Sequence, residues 1–264
     1  LGSTNKAPSF KNPFSFEQRR AMLQAGMSPR QLMHTAFTAL KDMPTDFDWE
    51  EQVLYGIKRS KQALGIIRDS DVTLVAHEKD DSSYYVHNFP QLKLTLTPSF
   101  GEYNATDARK KLVKGESLDG YTPSPVINWI EKEYKAKPAE AFGFDWLVNE
   151  YKAAEQFKKD YEGLPHGINF VTGDALVVCG SHILLVQPSG KTGHNQWALP
   201  GGFKEPGEGI KACIERELRE ETVIDVPPRA LRMAFKGIDP FHAPDRDPRG
   251  DFTTFCGVYV LEAN

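Results

Sequence analysis

One stretch restricts this chain more than any other: Gly202-Phe-Lys-Glu205-Pro-Gly-Glu208-Gly-Ile210-Lys-Ala-Cys213-Ile214-Glu215-Arg216-Glu217-Leu218-Arg219-Glu220-Glu221. Read as a helix at about 100° per residue with Ile210 at zero, Cys213, Ile214 and Leu218 fall at about -60°, +40° and +80°. Glu217 and Glu221 fall at about -20° and +20°, and Glu220 at about -80°. The acids share the apolar side. A solvated helix laced with Glu–Arg pairs would set them opposite it, where Glu215, Arg216 and Arg219 lie. Two carboxylates ~4 Å apart at an effective dielectric of ~20 repel by about 4 kcal/mol, so three on one half-buried face call for a strong counter-charge. A hard divalent cation meets that need, and all-oxygen ligation favours magnesium or manganese over zinc or copper. A ligand bringing its own negative charge, such as a diphosphate, would bridge to the metal, which points to diphosphate cleavage.

The stretch resembles the Nudix box, G-x5-E-x7-R-E-U-x-E-E-x-G-U with U aliphatic, through Gly202, Glu208, Arg216, Glu217, Leu218, Glu220, Glu221 and Ile224. Val223 stands where the pattern has its second glycine, and since Val tolerates a positive φ poorly, a different exit from the helix is expected. The resemblance implies that Glu217, Glu220 and Glu221 bind the cations together with the Gly201 carbonyl. It further implies that Arg216 and Glu208 orient these acids, and that an activated water attacks one phosphorus of the diphosphate in line. On residue type alone, Trp197 reads as core and Arg246 and Arg249 as parts of a polar surface loop. The Arg246-x-x-Arg249-Gly250 pattern, however, looks like that of ADP-ribose-cleaving Nudix domains, which implies substrate contacts for all three.

The rest of the chain is read around that stretch. Its 264 residues, 40% hydrophobic, suit two α/β domains. A net charge of -4 argues against nucleic acid or acidic lipid as a partner. Three cysteines without paired spacing encode neither a disulfide framework nor a zinc cage, and no apolar run reaches the ~20 residues that span a bilayer, so the cytosol is the expected compartment. Ser15 with Gln18 forms a capping box for a helix to about Gln24, and Ser28-Pro29 opens another expected to reach Leu40. Trp49 to Ile67 reads as a helix. Asp71 to Ala76 reads as a strand, as does the alternation of Leu92, Leu94 and Leu96, half-buried and parallel to the first. Helices are expected after Asn104, over Pro123 to Lys135 and over Phe144 to Tyr161. The character changes at Gly163-Leu164-Pro165, which places a domain boundary between residues 163 and 164. Beyond it, strands are expected at Ile168 to Val178, His182 to Gln187, Leu231 to Lys236 and Phe252 to Leu261, with one helix over Gly207 to Val223.

In the front half, Asn104 and Thr106 are ordinary helix caps, or else the helix start and Arg109 hold a phosphate. The segment is similar to the S-x-T-x-x-R motif of nucleotidylyltransferases, with Asn104 in place of Ser. Lys11 to Arg19 and His77 to Tyr85 resemble segments of the bifunctional nicotinamide mononucleotide (NMN) adenylyltransferase fused to a Nudix hydrolase. That resemblance implies a Rossmann-like nucleotidyltransferase domain over residues 1–163, making NAD from ATP and NMN. A Nudix α/β/α sandwich with a mixed sheet would follow over 164–264, cleaving ADP-ribose. It implies ATP contacts for Asn104, Thr106 and Arg109, and a place near NMN for Lys79, Asp80 and Tyr84, whose plain readings are a solvated loop and helix packing.

No pair of the seven histidines makes the family's H-x-G-H spacing. With an opening Leu1-Gly2-Ser3 that reads as the tail of a strand, the chain is read as truncated, short of a first strand in front and of a later loop bearing a further glutamate behind. Expected ligands are ADP-ribose, ATP, NMN and NAD with Mg2+ or Mn2+, and a homo-oligomer is left open. Two rivals also stay open: a non-catalytic sensor of ADP-ribose or NAD, and a Nudix hydrolase of another nucleoside diphosphate.

Overall fold

The first helix, α1 (Phe16–Ala25), begins at the expected capping box: Gln18 N–H donates to Ser15 Oγ at 3.2 Å and Ser15 N–H to Gln18 Oε1 at 2.9 Å. The computed structural model describes residues 1–66, 72–77, 81–98, 104–136, 142–164, 167–190, 192–243 and 246–262. A second capping box, Ser28 with Gln31, opens α2 (Pro29–Met33), which stops well short of Leu40. Residues 38–42 instead run extended beside the chain start: Leu40 N–H donates to the Leu1 carbonyl at 2.9 Å and Thr4 N–H to the Leu40 carbonyl at 3.0 Å. β-branched Thr35 and Thr38 lose side-chain freedom in a helix, so these pairings win. Thr45 caps α3 (Asp46–Ala63), which therefore starts ahead of Trp49.

β1 (Thr73–Ala76) and β2 (Lys93–Leu96) pair in parallel, as expected. Both faces of β2 are exposed, however, so the leucine alternation does not mark a half-buried strand. Between them a 3-10 helix, Asp81–His87, brings Tyr85 edge-on to Trp49, with ring centroids 5.6 Å apart. α4 (Ala105–Lys114) is capped by Asn104 and closed by Gly115 at φ +71°, a left-handed turn that favours glycine. α5 (Ser124–Trp129) continues as a π-helical turn, Ile130–Tyr134, rather than as α-helix to Lys135.

The chain divides into two units, Leu1–Val148 and Asn149–Asn264. The division falls inside α6 (Phe144–Asp160), ahead of the composition change at Gly163. In the second unit, β3 (Asn169–Cys179) and β7 (Asp251–Leu261) pair in parallel without a slip, from Asn169 with Asp251 to Cys179 with Leu261. β4 (His182–Ile183), β5 (Gly201–Phe203) and β6 (Phe235–Phe241) join antiparallel, making a mixed sheet of order β4-β3-β7-β6 with β5 also on β3.

Two local expectations fail here. β4 holds two residues, and a bridge of Val186 with Ala198 follows it. Residues 228–234 form a helix, α8 (Pro228–Ala234), and the strand begins at Phe235. Pro228 at the first helical position presets φ there, and Leu231 and Ala234, one turn apart, both reach the core.

Alternation along β3 divides the labour of the sheet. Ala175 and Val177 face α7 (Ile210–Glu221) and join Ile214, Leu218, Leu231, Ala234 and Tyr259 in the core. A Cβ on Gly173 would lie 2.9 Å from Ile214 Cγ1, so the bare backbone lets α7 settle on the sheet. Phe170, Thr172 and Asp174 alternate with these, opposite Phe252, Thr254 and Cys256 of β7. The Thr172 and Thr254 hydroxyls hydrogen-bond across the ladder at 2.7 Å.

Candidate active site

The loop into α7 and the helix itself gather four carboxylates around one guanidinium or one turn of backbone. Arg216 Nη1 donates to Glu217 Oε1 at 2.7 Å and to Glu220 Oε2 at 2.9 Å, while Nη2 donates to Glu208 Oε1 at 2.8 Å and to the Phe203 carbonyl at 2.9 Å. A bare helical wheel sets Arg216 opposite the acids; its long side chain reaches back among them. Arg216 holds the Glu208 carboxyl down at about 2, helped by the Glu205 N–H. Of the three helix acids only Glu217 is buried, at 9% exposure, whereas Glu220 and Glu221 are exposed, so the expected half-buried trio is one buried acid with two at the rim. Burial pushes the Glu217 carboxyl up, and Arg216 works against that shift.

Glycines make this closeness possible. A Cβ on Gly202 would stand 2.6 Å from the Glu217 carboxylate. The Gly201 N–H donates to Glu221 Oε2 at 2.9 Å, which sets this residue beside the acids. α7 leaves through Thr222 in extended backbone, φ -134°, with Val223 fully exposed beyond it. The exit takes no left-handed residue, so the valine in the glycine position costs nothing there.

Three features escaped the sequence reading. Asp174 on β3 is a fifth carboxyl near the seam: burial raises it to about 6 against the pull of Arg246, and Glu221 and Glu217 add to the rise. Its sequence signal was a lone acid interrupting an apolar strand. Glu150 on α6 is buried and accepts the Gly193 N–H at 2.7 Å, holding the loop before Trp197. Its carboxyl too is raised by burial, against the Gly193 and His194 N–H groups. Third, Phe157, Phe170, Phe203 and Phe252 pile together from α6, β3, β5 and β7, with ring centroids 5.0 to 6.3 Å apart.

The structure sorts the expected substrate residues. Trp197 is 65% exposed and therefore not core. Arg246 donates to the Thr254 hydroxyl and acts on Asp174. Arg249 spends its fork on Asp247, Nε to Oδ1 at 2.9 Å and Nη2 to Oδ2 at 2.7 Å, and lies 4.7 Å from the Phe252 ring centroid.

In the front unit, Asn104 caps α4 through the Asp107 N–H at 2.8 Å, the plain role. Arg109 Nη2 donates to the Thr106 hydroxyl at 3.2 Å, so these two stand together; burial lowers the Arg109 pKa, and its Nε is buried with no partner among the described residues. Tyr84 donates to Asp46 at 3.2 Å. Lys79 and Asp80 lie outside the described residues.

Five carboxyls (Asp174, Glu208, Glu217, Glu220, Glu221) thus meet two guanidiniums (Arg216, Arg246). The surplus of hard oxygen donors fits a divalent cation by donor chemistry. Among the described residues no three acidic, histidine or cysteine side chains already form a metal cage, and Arg216 stands between Glu217 and Glu220. Also among the described residues, no helix is long and apolar enough to cross a membrane.

Known proteins resemble this chain over its whole length. A NUDIX domain model matches residues 170–263. Over its whole length the chain superimposes on 76% of a bifunctional NMN adenylyltransferase/ADP ribose pyrophosphatase from Francisella tularensis, with 30% identity and a TM-score of 0.81. The chain belongs to this bifunctional family. A second structure of the Francisella enzyme, complexed with AMP and Mn ion, gives a TM-score of 0.82 at 29% identity, again over the whole chain and 76% of that one. A nicotinamide/nicotinic acid mononucleotide adenylyltransferase of Acinetobacter baylyi is 31% identical over 134 residues, 50% of this chain and 68% of that protein. An ADP-ribose pyrophosphatase of Methanocaldococcus jannaschii is 32% identical over 92 residues, 35% of this chain and 50% of that protein. As in the bifunctional family, a Nudix hydrolase unit here follows an adenylyltransferase-like one.

Proposed function

We propose that the back unit hydrolyses ADP-ribose to AMP and ribose 5-phosphate with the help of Mg2+ or Mn2+, and that the front unit, in complete form, joins ATP and NMN into NAD. The reading rests most on the seam: a buried Glu217 pressed against Gly202, within a set of five carboxyls that two arginines leave in charge surplus. Glu217, Glu220 and Glu221 would hold the cation, with Gly201 beside them. Bound there, it would neutralise the acids, draw in the diphosphate and make a water more acidic. This chain's own residues do the rest. Arg216 fixes Glu217, Glu220 and the Phe203 carbonyl in one frame, Glu208 keeps Arg216 in place, and Arg246 offers positive charge to Asp174. Water adds to one phosphorus, and the bond from that phosphorus to the bridging oxygen breaks, leaving two monophosphates.

In the front unit, Thr106 and the half-buried Arg109 would contact ATP phosphates, and Tyr84 would lie near NMN. We assign residues 1–163 to the adenylyltransferase domain and 164–264 to the Nudix domain, small-molecule nucleotides rather than nucleic acid as ligands, and the cytoplasm as the compartment.

The test is AMP release from ADP-ribose with and without Mn2+. Turnover should require the metal and vanish in Glu220→Gln or Glu221→Gln; unchanged turnover in both variants defeats the assignment, and ADP-ribose recovered intact with the wild type would make the unit a sensor.

A further inference from the structure

We propose that the buried hydroxyl pair Thr172–Thr254 is the mount of Arg246, presenting one edge of its guanidinium to phosphate oxygens of the diphosphate; this rests on the hydrolase reading above. The two threonines occupy a paired position of β3 and β7 and are both buried, with their hydroxyls 2.7 Å apart. Arg246 Nη1 donates to the Thr254 hydroxyl. An arginine only donates, so Thr254 accepts from it and keeps its own proton for Thr172. Accepting from a cation makes that O–H a better donor, and the three groups strengthen as a chain. The threonines are thus positioning residues, acting on substrate only through Arg246.

What the mount leaves open decides the role. Nη1 also reaches the Phe241 carbonyl at 3.4 Å, while among the described residues Nε and Nη2 make no hydrogen bond. In Arg249 these same two nitrogens are taken by Asp247. Of the two arginines in the Arg-x-x-Arg pattern, Arg246 therefore keeps the edge that matches two oxygens of a phosphate, and it is exposed where Arg249 is half-buried.

Register ties the mount to the acids. Thr172 pairs with Phe203, whose carbonyl accepts Arg216 Nη2 at 2.9 Å, and Asp174 pairs with Gly201, whose N–H donates to Glu221. Asp174 lies two residues beyond Thr172, on the same face of the strand, and its charge attracts the guanidinium as well. β5 thus pairs residue for residue with the strand that carries the mount, while its backbone holds Arg216 and Glu221.

The plain alternative is that the two threonines only fasten β3 to β7. Thr254→Val keeps the shape and removes the hydroxyl, and Thr254→Ser keeps the hydroxyl. With Mn2+ present, Thr254→Val should raise KM for ADP-ribose about ten-fold, the worth of one hydrogen bond to a charged group, with a far smaller change in kcat. Thr254→Ser should stay within about two-fold of the wild type, and Thr254→Val should add nothing on an Arg246→Gln background. Thr172→Val, which leaves Arg246 on Thr254, should raise KM about three-fold, and it carries the test if Thr254→Val does not fold. Calorimetric binding of the uncleavable analogue, with methylene as the bridge of the diphosphate, should weaken by the same factors in the full chain, while Mn2+ binding stays as in the wild type. A KM shift that persists in full on the Arg246→Gln background, or Mn2+ binding that weakens with it, would overturn the mount. If the wild type leaves ADP-ribose intact, the hydrolase reading fails and the analogue alone decides the mount, which falls if the wild type does not bind it or if the variants bind it equally well.

Discussion

Arg216 and Arg249 both hold carboxylates, yet the regions around them are built on different physics. Around Arg216 all the hydrogen-bonding capacity of the guanidinium is used: its nitrogens are divided among Glu208, Glu217, Glu220 and the Phe203 carbonyl, and the rings are elsewhere. Around Arg249 a single acid, Asp247, takes the fork, and the plane is left to Phe157, Phe203 and Phe252. The same side chain is thus an organiser of negative charge in one place and an aromatic-like slab in the other. The two roles respond to different substitutions, which makes them separable.

The largest expected effect breaks the first region. Arg216→Ala frees Glu217 and Glu220 to repel each other and unfastens the Phe203 carbonyl, so turnover of ADP-ribose should fall by about 10² to 10³, the range for loss of one preorganised electrostatic partner. Arg249→Ala should lower turnover far less, and an equal loss in the two would erase the contrast.

Next comes the cation. Mn2+ at about 100 times its Kd should stabilise the wild type by about 2.7 kcal/mol, seen as a rise in Tm, and Glu217→Gln should abolish most of that rise. An undiminished rise would place the cation away from the seam. A smaller effect is expected of Gly202→Ala, whose new Cβ must displace the Glu217 carboxylate from 2.6 Å. About ten-fold weaker Mn2+ binding with little change in Tm without metal is the expected result, read by titration of the same protein.

The smallest effect concerns the loop that Glu150 secures. Its carboxyl is raised above the ordinary 4.5, so the folded state holds that proton more tightly than the unfolded chain. The contribution is fully present below the unfolded value and is lost as pH rises through the folded one. Relative to Glu150→Gln, the wild type should therefore be most stable near pH 4 and give up about 1 kcal/mol or less toward pH 7, measured by denaturant unfolding at a series of pH values. A gap that widens with pH would show that the charged carboxylate is the favoured form.

What a single sequence discloses about these regions follows from how local each feature is. The acid helix, its register and the Nudix spacing are written within one stretch of α7, and the capping boxes at Ser15 and Ser28 within four residues each. The failures are also local, but lost to tertiary pairing: α2 ends at Met33 because residues 38–42 find partners at the chain start, and β2 is exposed despite its alternating leucines. Asp174, Glu150 and the phenylalanine pile were illegible for another reason. Each acquires meaning only from residues on other elements, such as Arg246, Gly193 or Phe252, and no periodicity along one segment announces that.

The ladder between β3 and β7 has a kinetic corollary. Thr172 and Thr254 are bonded although 82 positions apart in the chain, and closing a loop of that length costs roughly 4 kcal/mol of chain entropy before any pair is rewarded. On a ribosome, β3 would emerge long before its mate and wait beside β4 and β5 as an unfinished edge. The acid cluster and the ring pile would then come into being together, in the late step that zips the central strands, so a nascent chain arrested before Asp251 should bind neither manganese nor AMP.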